Sequence, residues 1–253
     1  MGIDVQKASL WKRIAAWMLD VILLAVLAVG AAWGLSAALG YDSYSNTLES
    51  AYAKYEAQYG VTFQIDGQAY DTMTAEGKQN YDTAYQALIA DADAMYAYNM
   101  VVNLSLLITT LGILAAVLVL ELLVPLLLKN GQTVGKKCFT LGVMRTDGVK
   151  MNNLQLFART VLGKYTIELM VPIYIAMMVF WGSMDITGTL VLLGLLLGQI
   201  ICLCATRTNA AIHDLLAGTV VVDIASQKIF NSTEDLLEYT KRIHADRARR
   251  QDY

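Results

Sequence analysis

The sequence is poor in charge, proline, cysteine and histidine. Only 16% of its 253 residues are charged, against roughly a quarter in an average soluble domain. Two prolines leave room for long uninterrupted helices, and three cysteines make no disulfide framework. With two histidines and no nucleophile–base pair or ligand cluster, the sequence predicts a non-enzyme with no metal, no cofactor and no nucleic-acid partner.

Apolar residues are abundant instead, at 56% of the chain. Four apolar stretches stand out, at residues 14–39, 100–128, 166–181 and 186–205. A bilayer core of about 30 Å requires about 20 helical residues, so the third stretch is short unless its helix begins within 157–164. The pattern predicts an all-α integral membrane protein with a four-helix transmembrane bundle.

The charges are strongly segregated along the chain. The N-terminal arm carries Lys7, Lys12 and Arg13, residues 129–165 carry seven bases and one acid, and the tail carries five more bases. Residues 41–98 are the reverse, with nine acids and two lysines, and the 182–185 link has no base. By the positive-inside rule, we expect a multi-pass protein of the cell membrane with both termini cytoplasmic.

These features divide the chain into six segments. They are an N-terminal arm with the first span (1–40), an extracytoplasmic helical insertion (41–98), the second span (99–128), a cytoplasmic loop with a β-hairpin and an amphipathic segment (129–165), the third and fourth spans (166–206), and a cytoplasmic strand with a charged helix (207–253).

The insertion has the pattern of a helical hairpin. Helix-like stretches at 47–59 and 74–98 flank a turn at Asp66-Gly67, and Thr74 is placed as an N-cap. Its tyrosines suit a small hairpin core with interface anchoring, or else a ligand-binding face.

Three runs have strand-like character, and open strands are excluded from lipid. They are residues 138–146, the return run 149–151 after the hairpin signal Asp147-Gly148, and 219–224. We therefore expect one small cytoplasmic sheet.

Ionisable residues inside the apolar stretches are the strongest functional signal. Asp20 lies two helical turns after Arg13, and Glu121 is the only charge of the second stretch. Glu168 follows Lys164 by four residues, which supports a local ion pair. Intramembrane carboxylates are costly unless they pair, protonate or face water. Two interpretations stand: an internal polar network with Arg13, Arg159 or Arg207, or a proton- or cation-handling site.

Two further motifs resemble catalytic signatures but lack essential parts. Gly131-Gln-Thr-Val-Gly-Lys-Lys has three residues between its glycines where a phosphate loop has four, and no Ser/Thr after the lysine. We expect its glycines to turn the chain and its lysines to reach the headgroups. His213-Asp214 lacks the further histidines of a metal-dependent hydrolase. We expect Asp214 to cap a helix or form an ion pair, with Gly218-Thr219 turning into a strand.

Together these motifs resemble the RDD family of bacterial membrane proteins. The family's arginine and two aspartates correspond to Arg13, Asp20 and Asp214, and Arg159 lies in a further matching stretch. The resemblance covers roughly residues 10–40 and 100–225 and does not include the insertion. The other motif positions are Gly131, Gln132, Thr133, Gly135, Lys136, His213, Gly218 and Thr219.

The resemblance implies a membrane protein with a transport-related role. Some members look like sodium (lithium, potassium)/proton antiporters, and others look like accessory components. We therefore expect a small homo-oligomeric transporter in which Asp20, with Glu121 as a second carboxylate, exchanges a proton for a monovalent cation. The alternative is a non-transporting scaffold, in which the charges are structural and the outer hairpin or the basic face binds a partner protein or membrane lipid.

Overall fold

The computed structural model describes residues 6, 8–65, 67–180, 186–206 and 208–251. Its helices, in chain order, are α1 (Leu10–Leu39), α2 (Tyr41–Tyr59), α3 (Gly67–Asp71), α4 (Ala75–Ala90), α5 (Ala92–Val117), α6 (Val124–Leu127), α7 (Val134–Cys138), α8 (Asn153–Phe157), α9 (Val171–Phe180), α10 (Ile186–Ala205), α11 (Ile212–Ala217) and α12 (Thr233–Gln251). Two π-helical segments, π1 (Leu118–Leu123) and π2 (Ala158–Met170), one short 3-10 helix (Lys129–Gly131) and two strands, β1 (Leu141–Arg145) and β2 (Thr219–Asp223), complete the regular structure of the described residues.

Four helical runs are long and apolar enough to cross a membrane, which confirms the predicted all-α class and the four spans. They are Leu10–Leu39, Ala92–Leu127, Asn153–Val179 and Ile186–Ala205. The apolar stretch of the third span begins at residue 166, but its helical run begins earlier, at Asn153. Asn152 starts it with a capping box, because its side chain accepts from Gln155 N while Gln155 Oε1 accepts from Asn152 N.

The two prolines of the chain each follow a π-helical segment. Pro125 comes two residues after π1, and Pro172 comes two residues after π2. Proline lacks an N–H, and its ring crowds the carbonyl four residues earlier. The turn before each proline is widened, a known way for a helix to relieve such crowding. The residues at those crowded carbonyls are Glu121 and Glu168.

The chain separates into two compact units. One consists of residues 28–113, and the other consists of residues 1–27 with 114–253. We call residues 28–113 the smaller unit and residues 1–27 with 114–253 the larger unit. The candidate site can be described within the larger unit, because that unit contains Arg13, Asp20, Glu121, Arg159, Glu168 and Asp214.

In the larger unit, β1 and β2 form one antiparallel pair with Leu141 opposite Asp223 and Arg145 opposite Thr219. The small sheet is confirmed, but the return run after Asp147-Gly148 is reduced to isolated bridges. Lys150 N donates to Phe230 O at 2.7 Å, so the run leaves β1 after a single bridge to Met144.

Both faces of this sheet are covered. Leu141, Val143 and Val221 pack with Ala16 of α1 and Leu156 of α8 on one face. Met144, Val220 and Val222 pack against Ile229 on the other. The sheet is therefore built into the core that carries the charged residues.

The smaller unit contains the helical insertion. Gly40, at φ 66°, separates α1 from α2, and Thr74 Oγ1 accepts from Gly77 N as the expected N-cap of α4. The predicted second helix is broken at Asp91, whose side chain accepts from Asp93 N and Ala94 N to start α5. Asp66 of the expected turn and the 182–185 link lie outside the described residues.

Candidate functional site

Asp214 is the most completely paired carboxylate in the larger unit. It is fully buried on α11, and Arg159 of π2 reaches its Oδ1 with Nε at 3.0 Å and Nη2 at 2.9 Å. Arg13 Nη2 lies 3.4 Å from Oδ2, and Thr219 Oγ1 donates to Oδ1 at 3.2 Å. Burial alone would raise the pKa of Asp214, but the neighbouring cations outweigh burial and lower it. The carboxylate is therefore held ionised.

The N-terminal end of α1 is tied to the segment around α11 and β2. Arg13 Nη1 donates to Asn209 O at 2.5 Å, and Lys12 Nζ lies 2.6 Å from Asp223 Oδ2. Asn209 is one of three non-glycine residues with positive φ among the described residues, at 52°. An asparagine tolerates this conformation better than most side chains, and it aims the carbonyl at Arg13.

His213 connects this ion pair to Glu168. Its Nδ1 lies 2.8 Å and 2.9 Å from the two Glu168 oxygens, and its backbone N donates to Glu168 Oε1. Its Nε2 lies 3.0 Å from Arg159 Nη2. Because a guanidinium only donates, this geometry assigns Nε2 as acceptor and Nδ1–H as donor. Burial lowers the pKa of His213, Asp214 opposes that shift and Arg159 adds to it, which agrees with a neutral ring.

Asp20 holds the loop before α7. Thr133 Oγ1 donates to Oδ2 at 2.6 Å, and Gly135 N donates to Oδ1 at 2.7 Å. A Cβ at Gly135 would collide with Ala16 O and the Asp20 carboxylate. Glycine is therefore required here, because α7 lies directly against α1. Asn130 and Gly131, both with positive φ, make the tight turn that brings the chain back.

Glu121 forms a separate ion pair on π1. Its Oε2 lies 2.6 Å from Lys164 Nζ on π2, and the residue is 6% exposed. Its backbone carbonyl accepts from Thr160 Oγ1 at 2.9 Å. Pro125 cannot donate the helical hydrogen bond that would normally reach this carbonyl. The hydroxyl of a neighbouring helix thus supplies the missing donor.

Lys136 is buried between these groups. Its Nζ lies 3.2 Å from Thr133 Oγ1 and 4.0 Å from Asp20 Oδ2, and the residue is 8% exposed. Burial lowers the pKa of Lys136 to about 7, Lys164 adds to the shift, and Glu121 opposes it. A proton on this amine is therefore exchangeable near neutral pH.

Several predicted pairings are wrong, because the tertiary fold selects more distant partners. Arg13 pairs with Asp214 instead of Asp20. Lys164 pairs with Glu121, and Glu168 contacts His213 instead of Lys164. Lys136 points into the protein and not toward headgroups.

Other parts of the motif predictions are confirmed. Asp214 both caps α11, through Ala211 N at 3.4 Å, and forms ion pairs. Gly218, at φ 62°, turns the chain into β2, which begins at Thr219. Gln132 Nε2 donates to Leu141 O at 2.8 Å and links the motif to the sheet. Arg207 lies outside the described residues.

Sequence reasoning missed Gly163 and Thr160 and gave Lys164 the wrong partner. A Cβ at Gly163 would lie 2.5 Å from His213 Cβ and 2.7 Å from its Cα. Glycine permits this approach between π2 and α11. The sequence did contain one indication of their role, because Thr160 and Gly163 both lie within four residues of Arg159. Within the described residues, no group of three His, Cys, Asp or Glu side chains is arranged to hold a metal ion.

The four apolar spans and the buried charge pairs define a multi-pass α-helical membrane protein. The model of the RDD family matches residues 7–218, most of the chain, and the protein belongs to the RDD family. The match confirms the resemblance in the motifs, and it includes the paired residues Arg13, Asp20, Glu121, Arg159, Lys164, Glu168 and Asp214. No curated protein and no solved structure matches the chain.

Proposed function

We propose that this protein is a small transporter of the cell membrane that exchanges monovalent cations for protons. Both termini face the cytoplasm in this proposal, because the N-terminal arm, the 129–165 segment and the tail hold most of the basic residues. The exchange uses Glu121, Lys164 and Lys136. In this proposal Glu121, instead of the Asp20 expected from the sequence, is the exchanging carboxylate, because each Asp20 oxygen already accepts a hydrogen bond, one from Thr133 and one from Gly135.

The supporting observation is the charge balance of the buried network. Four cationic side chains, Arg13, Lys136, Arg159 and Lys164, accompany four carboxylates, Asp20, Glu121, Glu168 and Asp214. Of the four cations, Lys136 has a pKa lowered to about 7. When it releases its proton, the network is left with one uncompensated negative charge.

A monovalent cation restores that balance. With Lys136 neutral, Lys164 moves from Glu121 to take over the charge that Lys136 supplied beside Asp20, and a bound cation takes the place of Lys164 at the Glu121 carboxylate. Reprotonation of Lys136 returns the charge of the ammonium and favours release of the cation. One proton is exchanged for one cation, so the buried network is neutral both before proton release and after cation binding, which avoids the large cost of a lasting unpaired charge in a membrane. We further propose a homo-oligomer, since four spans enclose little interior.

Cation-driven proton flux in proteoliposomes tests the proposal. Wild type should show flux with Na⁺, Li⁺ or K⁺, and Glu121→Gln should abolish it while retaining the fold. Lys136→Met should also abolish it, because the titrating amine is gone. Glu238→Gln is the matched control, since Glu238 is an exposed acid on α12 paired with Arg242. Absence of wild-type flux at every pH and cation would refute transport.

A scaffold is the second candidate, and one observation favours it. The contacts of Asp214 tie α1, π2 and α11 into one unit, so these charges are accounted for structurally. A scaffold in which all the charges are structural predicts that Glu121→Gln lowers thermal stability without any flux to lose. Transport predicts loss of flux at a temperature at which the variant remains folded.

A further inference from the structure

The hydroxyl of Thr133 lies between the amine of Lys136 and the carboxylate of Asp20. Lys136 Nζ is 3.2 Å from Thr133 Oγ1, and Oγ1 is 2.6 Å from Asp20 Oδ2. The direct distance from Nζ to Oδ2 is 4.0 Å, which is too long for a hydrogen bond. Thr133 itself is only 2% exposed. The two charged groups are therefore connected through this buried hydroxyl.

The hydrogen bonds of Thr133 use the full capacity of its hydroxyl. A threonine hydroxyl has one O–H to donate and two lone pairs with which to accept. The O–H goes to Asp20 Oδ2, and the lone pairs receive Lys136 N at 3.3 Å and Lys136 Nζ at 3.2 Å. Because an ammonium group only donates, the hydrogen bonds run in one direction, from Nζ through Oγ1 to Oδ2. A proton can be passed along such a chain.

Charged groups from three other elements act on the Lys136 amine. They are Asp20 of α1, Glu121 of π1, and Arg159 and Lys164 of π2. Burial, Lys164 and Arg159 lower the pKa of Lys136, Glu121 and Asp20 raise it, and the result is about 7. The amine is therefore the end of the chain that gives up a proton near neutral pH.

We propose that Thr133 relays a proton from Lys136 to Asp20, which holds the proton until a cation binds at Glu121. This inference rests on the exchange proposed above and adds the route and the temporary store of its proton. Direct release from Lys136 to water leaves an uncompensated negative charge in the buried network, which is costly in a membrane. Transfer to Asp20 leaves a neutral amine and a neutral carboxylic acid, so that cost is avoided until the cation arrives.

The relay conserves atoms and charge. One N–H bond at Lys136 Nζ breaks, and its electron pair stays on the nitrogen while the proton joins Thr133 Oγ1. The O–H bond directed at Asp20 breaks at the same time, and its proton joins Oδ2. When Lys164 replaces Lys136 as the counter-charge of Asp20, the carboxylic acid releases the proton to water.

Hydrogen exchange of the Lys136 ammonium tests the relay independently of transport. The exchange rate of the Nζ protons is measured by NMR below pH 7 on the full-length protein with isotope-labelled lysine in nanodiscs, and the Lys136 signal is the one lost in Lys136→Met. Thr133→Val should slow exchange about a hundredfold or more, because a positioned proton-transfer group accelerates such a step by about 10²–10⁴. Thr133→Ser should keep the wild-type rate, since the hydroxyl remains. Asp20→Asn is the second variant and should also slow exchange, because an amide does not hold the proton.

The direction of the change separates a relay from a structural role. Thr133 also caps α7 by accepting from Lys136 N, and loss of a cap alone would loosen the site and speed exchange. Thr74→Val removes a cap of the same kind from α4 and should leave exchange at Lys136 unchanged. Exchange in Thr133→Val that equals or exceeds the wild-type rate, at a temperature at which both proteins are folded, overturns the relay.

Flux measurements separate failure of the relay from failure of the exchange itself. In proteoliposomes, Thr133→Val should lose cation-driven proton flux, and Thr133→Ser should keep it. Absence of flux in wild type refutes the exchange. Flux that persists at the wild-type rate in Thr133→Val refutes the relay and leaves the exchange standing.

Discussion

At the scale of single residues, Gly163 determines how closely π2 approaches α11. Gly163→Ala should lower the thermal stability, because the added methyl group meets the Cα and Cβ of His213, of which the Cα cannot move independently. The expected loss is about 1–3 kcal/mol. Gly194→Ala is the control, since no atom lies within 4 Å of a Cβ there. Equal melting temperatures for the two variants in detergent would contradict the close approach.

Asp214 provides a second test at this scale. Asp214→Asn leaves Arg159 buried without its counter-charge, which should cost about 3–5 kcal/mol. Asp147→Asn removes a carboxylate from an ion pair exposed on both sides and should cost about 1 kcal/mol or less. Unfolding followed by tryptophan fluorescence measures both losses. Similar losses for the two variants would show that burial of the Arg159 pair adds nothing.

The sequence identifies the charged residues but not their partners. Asp20 and Arg13 are on one helix face at the expected spacing, yet each binds a residue at least 110 positions away. Chain spacing constrains neighbours within one helix only. Pairings between elements depend on how closely those elements pack, and that depends on Gly135 and Gly163, whose absent side chains give no periodic signal.

At the scale of elements, the π segments follow from the two prolines. Thr160→Val removes the hydroxyl bound to Glu121 O and should cost about 0.5–1.5 kcal/mol. In a Pro125→Ala background the cost should shrink, because residue 125 regains an N–H that can bond the same carbonyl. A double-mutant cycle on unfolding free energy measures the coupling. Equal costs in both backgrounds would contradict this role for Pro125.

A helix boundary can be predicted from the sequence when a neighbouring residue sets it, and not when distant residues do. Thr74 as an N-cap and the turn at Gly218 are predictable, because the responsible residue is adjacent to the element it ends or begins. The start of the third span at Asn153 is not marked by hydropathy, since π2 is polar enough to resemble an interfacial segment. Its charged residues are accommodated by partners from α11 and π1, which a single helical stretch does not reveal.

At the scale of the whole molecule, stability should rise with pH between about 7 and 10. The pKa of Lys136 is about 7 in the folded protein against an ordinary value of 10.5, so the unfolded chain binds more protons across that interval. The pKa of His213 is lowered from its ordinary value of 6.5. Below pH 6.5 the unfolded chain therefore binds the extra proton more readily than the folded protein, and stability should fall further as the pH falls. Melting temperature measured against pH at fixed ionic strength tests this expectation.

Lys136→Met should remove the rise in stability between pH 7 and 10 and leave the loss of stability at acidic pH unchanged. The exposed neighbour Lys137 offers the control, since Lys137→Met changes the same charge outside the buried network. A wild-type curve that is flat above pH 7 would contradict a strongly shifted amine, and so would an unchanged slope in Lys136→Met.

The exposure of α10 has a consequence for how the protein is handled. None of its described residues is buried, it carries no charged residue, and its 20 residues extend about 30 Å. Gln199 Oε1 accepts a hydrogen bond from Ile212 N, but acyl chains or another protein must supply most of the packing of its other side chains. Its length equals the thickness of a typical hydrocarbon core, so thinner or thicker bilayers impose a mismatch that this helix accommodates by tilting. Lipid chain length is therefore a structural variable of this protein, to be fixed in every measurement as strictly as pH.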